Sequence, residues 1–152
     1  MKKLNSLIDQ LESHIADFEK TNSAVSTSTI GWQIDHSFLV INKVVSDIKN
    51  SNPENYKWKF NWKRSLIQII NKIPRGKAKA PQVVQPTESS SIEKLTEKFD
   101  LAKKSIAELE LLPATSYFKH PYFGDLNLKS AIWFLKLHTK HHLKIIKDIV
   151  KN

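Results

Sequence analysis

Apolar residues recur along this chain at steps of three and four. Leu4, Leu7, Ile8, Leu11, Ile15 and Phe18 form one stripe, which predicts a helix over residues 4–18. A polar run at 21–29 interrupts it, and Ser28 or Thr29 is placed to cap a second helix over about 30–49. There Ile30, Ile34, Phe38, Ile41, Val45 and Ile48 share a face, which Trp32, Leu39, Val40 and Val44 widen, so burial on more than one side is expected. Pro53 stops this helix, because proline cannot continue the hydrogen-bond ladder. A third helix is predicted to open at Ser90, where Ser90-Ser91-Ile92-Glu93 has the form of a capping box, and to carry Ile92, Leu95, Phe99, Ala102, Ile106 and Leu109 before Pro113. The last helix runs from near Asn127, a good cap, to about 150, with Leu135, His138, His142, Ile145 and Ile149 as its stripe.

No strand-like alternation of useful length is visible, and only a short helix at 61–72 relieves the irregular stretch 51–87. Short connections make the first and second helices, and the third and last, antiparallel pairs. The long stretch between them can return along the molecule and leave the second and third helices parallel. The expected fold class is therefore all-α: one domain over 1–152, an up-down-down-up four-helix bundle with a long crossover between helices 2 and 3.

Composition narrows the function classes. The chain has 152 residues, 40% hydrophobic and 26% charged, as in an ordinary globular domain. Cysteine is absent, which removes disulfides, thiolate metal sites and a cysteine nucleophile, and suits a reducing cytoplasm. Asp9 and Glu12 break up any signal-peptide core, and no apolar run is long enough to predict a transmembrane segment.

The net charge of +9 is concentrated. Residues 55–87 hold eight basic side chains and no acidic one. Within them Tyr56-Lys57-Trp58-Lys59-Phe60-Asn61-Trp62-Lys63-Arg64 interleaves rings with cations. The plain reading turns Trp58, Phe60 and Trp62 inward to pack the crossover, with the lysines in solvent. The functional readings are an anionic partner met through residues 56–80, either nucleic acid or a membrane surface, or a rim of Arg75, Lys77 and Lys79 that attracts an anionic substrate. No helix-turn-helix or zinc-finger pattern supports nucleic acid.

The histidines carry the candidate chemistry. Of six, His138 and His142 occupy stripe positions that should be apolar, one turn apart on the last helix. At that spacing both imidazoles can reach one ion, which satisfies ring nitrogens that a core would otherwise leave without partners. His36 lies in the buried span of the second helix and is a third ligand if the two helices meet. His141 falls on the wetter flank, as an exposed or interfacial side chain or a support to the ligands. His14 and His120 read as surface residues. The run His138-Thr139-Lys140-His141-His142 lacks the glutamate of a HExxH metalloprotease, and Asp35 points about 100° away from His36 around its helix.

Gly31-Trp32-Gln33-Ile34-Asp35-His36 and His138-Thr139-Lys140-His141-His142-Leu143 together resemble the ligand motifs of the DinB/YfiT-like putative metalloenzymes. Arg75-Gly76-Lys77-Ala78-Lys79-Ala80-Pro81 and His120-Pro121-Tyr122-Phe123-Gly124-Asp125-Leu126 are similar to one branch of that superfamily without an established activity. The resemblance implies one divalent metal ion held by His36, His138 and His142, with zinc, nickel, iron and manganese all compatible with imidazole. It further implies a thiol-dependent transferase or isomerase that brings a small-molecule thiol to an electrophilic substrate, and it makes a homodimer reasonable. From the residues themselves, Trp32, His141 and Tyr122 are candidates to border the pocket: Tyr122-Phe123-Gly124 forms either an aromatic lid over an open site or an anchor for the bundle end, and Tyr117 and Tyr122 are the neutral candidates for a proton donor.

Overall fold

The computed structural model describes residues 1–76, 80–87 and 89–151. Among these residues the chain forms α1 (Lys2–Glu12), α2 (Ile30–Lys49), α3 (Trp62–Ile70), α4 (Ile92–Glu108) and α5 (Leu128–Lys151), with an antiparallel hairpin of β1 (Tyr117–His120) and β2 (Gly124–Asn127) ahead of α5. The all-α four-helix bundle is thereby corrected. The four long helices form where the stripes place them, but a fifth helix and a two-stranded sheet belong to the fold.

The hairpin escaped the periodicity because each strand is four residues long, too short for an alternation to stand out. Its register pairs His120 with Gly124 and Phe118 with Leu126, leaving Pro121-Tyr122-Phe123 as the loop. Gly124 has φ +70°, the left-handed conformation that closes three-residue hairpin loops. Phe118 and Leu126 face the core.

Caps set most of the helix ends. The Thr29 hydroxyl accepts the N–H of Trp32 and opens α2, Asn61 does the same for Arg64 in α3, and the Asn127 side chain accepts the N–H of Ser130 in α5. The cap of α4 is Ser91 rather than Ser90, since its hydroxyl accepts the N–H of Lys94. The first stripe is also shorter as an α-helix than its spacing predicts, with Ile15–Asp17 in a 3-10 turn.

The core lies among α1, α2, α4 and α5. Leu4, Ile8, Leu11, Ile34, Phe38, Ile41, Ile106 and Leu135 are among its fully buried residues. α2 packs mainly on α4 and α5, while α1 packs mainly on α5 and α4, so each helix of the first pair is chiefly a neighbour of the second pair. Gly31 permits a close approach at the start of α2: a Cβ there would sit 3.0 Å from the Phe18 carbonyl oxygen and from Cβ of Ser90. The packing of α2 on α5 is what brings His36 to His138 and His142.

Candidate metal centre

His36 projects from α2, and His138 and His142 from successive turns of α5. One ring nitrogen of each lies within 4.8 Å of those of the other two. His36 and His142 are buried and His138 is half-buried.

Hydrogen bonds fix two of the three rings. Nδ1 of His36 lies 2.7 Å from the carbonyl oxygen of Val84, which can only accept, so this nitrogen carries the proton and Nε2 keeps its lone pair. Nδ1 of His142 lies 2.6 Å from Oε1 of Gln33 and donates to it in the same way. Gln33 is oriented in turn, because its Nε2 donates to the Ser26 hydroxyl at 3.2 Å. Both imidazoles therefore present Nε2 as a donor of electrons.

Nε2 of His142 is 3.2 Å from Nε2 of His138. Two nitrogens each about 2.0–2.1 Å from one tetrahedral ion lie roughly 3.3 Å apart, so this pair has the required spacing. The same distance suits a hydrogen bond in which Nε2–H of His138 donates to His142. The longest separation in the trio, up to 4.8 Å, exceeds the tetrahedral edge, and a shared ion would draw the three rings together.

Burial lowers the pKa of His36, an effect that its bond to Val84 and the charge of Asp35 partly oppose. It holds His138 and His142 well below the ordinary imidazole range, and the neighbouring histidines push the same way. At neutral pH the trio is neutral, the form in which imidazole binds a metal. Asp35 stands apart as the sequence predicts: both its carboxylate oxygens accept from Nζ of Lys98, at 2.7 and 2.8 Å.

Around the trio, Trp32 stacks on His36 with ring centroids 5.0 Å apart and an 18° interplanar angle. His141 sets its edge against His142 at 5.1 Å and bonds to the backbone of Ile73, which leaves it half-buried rather than exposed. Phe134 lies beside His138 at 5.5 Å. Behind Phe134 stands His120, 4.6 Å away, which stacks on Phe123 at 4.3 Å.

Several expected placements change. His120 is half-buried rather than free on the surface: Nδ1 accepts the N–H groups of Tyr122 and Phe123, and burial lowers its pKa to about 4. Tyr122 is exposed at the hairpin tip and its ring contacts His120, so the aromatic wall reaching the trio is built by Phe123, His120 and Phe134. Arg75 is engaged by Asp148 of α5 at 2.6 Å. Lys77 and Lys79 lie outside the described residues. Trp58, Phe60 and Trp62 point into solvent rather than inward, each more than 60% exposed.

The residues that sequence reasoning missed are Gln33, Ser26 and the Val84 carbonyl. Gln33 had a signal, a polar side chain within a buried helical span and one turn before His36. A backbone carbonyl brought in from 48 residues away has none.

Searches of protein-family models, curated proteins and solved structures find no match to this chain. What stands is a trio of neighbouring histidines, able to hold a metal ion, in a mostly helical protein.

Proposed function

We propose that this chain is a divalent-metal protein of the DinB-like type, in which Nε2 of His36, His138 and His142 holds the ion. The observation that carries the reading is the pair of outer hydrogen bonds, from His36 to Val84 and from His142 to Gln33. Metal-binding histidines characteristically give their second ring N–H to such an acceptor, which fixes the tautomer and orients the ring. Three neutral nitrogens from two helices would leave further coordination positions on a bound ion for water or substrate.

The donor set also fits the reaction class. No carboxylate belongs to the trio, since Asp35 is held by Lys98, and this separates it from the two-histidine, one-carboxylate oxygenase pattern. When bound, a divalent ion supplies Lewis acidity that favours thiolate over thiol at neutral pH. Thiol-dependent transfer or isomerisation is the activity we assign, on the resemblance of the two histidine segments to the DinB-like ligand motifs. In it, Gln33 and Val84 hold the ligand rings, Trp32 covers one face of His36, and Phe134 forms an apolar wall beside His138.

Elemental mass spectrometry tests the reading on untagged protein purified without chelator or nickel resin. Wild type should carry near-stoichiometric metal, and His36→Ala, His138→Ala and His142→Ala should each lose it. A wild type that takes up no divalent ion even on incubation would overturn the proposal.

A further inference from the structure

α3 is mounted with its apolar side outward. At about 100° per residue, Trp62, Leu66, Ile69 and Ile70 fall within one stripe roughly 100° wide. All four are exposed, Ile69 by 82%. The helix docks on the rest of the protein by its other side, where Arg64 is buried and donates to the carbonyls of Phe123 and Asp125, and where Ile67 packs against the core. Trp58 and Phe60, exposed by 67% and 70%, stand on the preceding segment, with the Trp58 ring 5.8 Å from the Arg64 guanidinium. A surface helix ordinarily buries such a stripe, and contiguous large exposed side chains mark an interaction surface.

The charges around the stripe indicate what covers it. Lys63 lies on α3 beside the stripe, Lys57, Lys59 and Lys72 are exposed on the segments that flank the helix, and residues 55–87 contain no acidic side chain. Nζ of Lys63 lies 5.8 Å from the Trp62 ring centre, so cation and apolar surface are contiguous. A twofold contact with a second copy would bring one basic patch against another of the same sign. Nucleic acid would use the lysines and could stack on the rings, but Leu66, Ile69 and Ile70 offer nothing to a phosphate or a base. An anionic bilayer surface uses every part: phosphate headgroups meet the lysines, indoles settle at the interface, and the aliphatic side chains enter the acyl boundary.

We propose that α3 and the segment before it form a docking surface for anionic lipid membranes, on which the protein lies without crossing the bilayer. No helix among the described residues is long and apolar enough to span a membrane, consistent with a surface mode. The metal centre plays no part in this contact.

Flotation of the full-length protein with phosphatidylcholine vesicles, with and without phosphatidylglycerol, tests the proposal. Wild type should float only with the anionic vesicles, and its tryptophan emission should shift to the blue through Trp58 and Trp62. Each single Lys→Gln change at 57, 59 or 63 should weaken binding about fivefold, from about 1 kcal/mol per basic residue at an anionic surface. Ile69→Asp with Ile70→Asp should weaken it at least about tenfold, because two aliphatic side chains no longer insert. Both positions are exposed, so circular dichroism and metal uptake should be unchanged in that variant. Absence of flotation, or flotation that the Ile69→Asp/Ile70→Asp variant retains in full, would overturn the proposal. So would a stripe-dependent dimer in sedimentation, or single-stranded oligonucleotide binding with the same dependence on Ile69 and Ile70.

Discussion

Gln33 of α2 accepts the Nδ1 proton of His142 of α5 across 2.6 Å, and this one contact fixes which nitrogen of His142 faces the histidine cluster. Gln33→Leu removes the acceptor while keeping an apolar volume in a buried position. Divalent-metal affinity should fall about 10- to 100-fold, as for other outer partners of metal-binding histidines. Competition against a chromophoric chelator measures it. Gln33→Glu, which retains an acceptor, should restore most of the affinity.

Metal should stabilise the fold through the trio. With free ion at a hundred times its Kd, unfolding should become harder by about 2.7 kcal/mol, because the unfolded chain does not assemble the three nitrogens. Thermal melts with and without zinc would show the increase in wild type. In His138→Ala the two melts should coincide.

Acid should weaken the metal-free protein, and His120 supplies part of the reason. Its folded pKa is about 4, below the ordinary 6.5, so between those values the unfolded chain binds more protons. The stability contribution is complete above about pH 6.5 and is lost as pH falls towards 4. Since His120 is only partly shielded from solvent, we expect a loss of about 1–2 kcal/mol between pH 7.5 and 5 from this residue. Urea titrations at the two pH values should show a smaller difference in His120→Gln than in wild type.

Lys98 answers the buried carboxylate of Asp35, which is 3% exposed. Lys98→Met should cost about 1–3 kcal/mol, less than for a fully buried pair because Lys98 reaches solvent. Adding Asp35→Asn should recover much of that loss. Chemical unfolding of the two single variants and the double variant gives the coupling directly.

How much of this was legible in the sequence differs by element. The Ile30-to-Ile48 stripe places α2 over about 30–49, and Thr29 is the cap of the two offered, Ser28 and Thr29, because helical period and capping are local properties. The histidine trio was legible for the same reason: His138 and His142 interrupt an apolar stripe, and His36 lies in a buried span. The hairpin was not, although Gly124 after His120-Pro121-Tyr122-Phe123 was the usable sign of a left-handed turn. Alternation of Trp58, Phe60 and Trp62 with lysines suggests one inward face, yet rings and lysines alike are exposed. The buried Arg64 does the docking instead, by tying α3 to the hairpin carbonyls, a tertiary contact without a local signal. The same holds for Val84, whose carbonyl sets the proton of His36 from a segment far along the chain.

That His36, His138 and His142 share one ion is tested by X-ray absorption on the cobalt(II)-loaded protein. Three imidazole nitrogens should scatter at about 2.0–2.1 Å from the metal, with one fewer in His36→Ala. A spectrum without imidazole scattering, or one that His36→Ala leaves unchanged, would contradict it and leave the 3.2 Å contact of His138 with His142 as a hydrogen bond within a polar core.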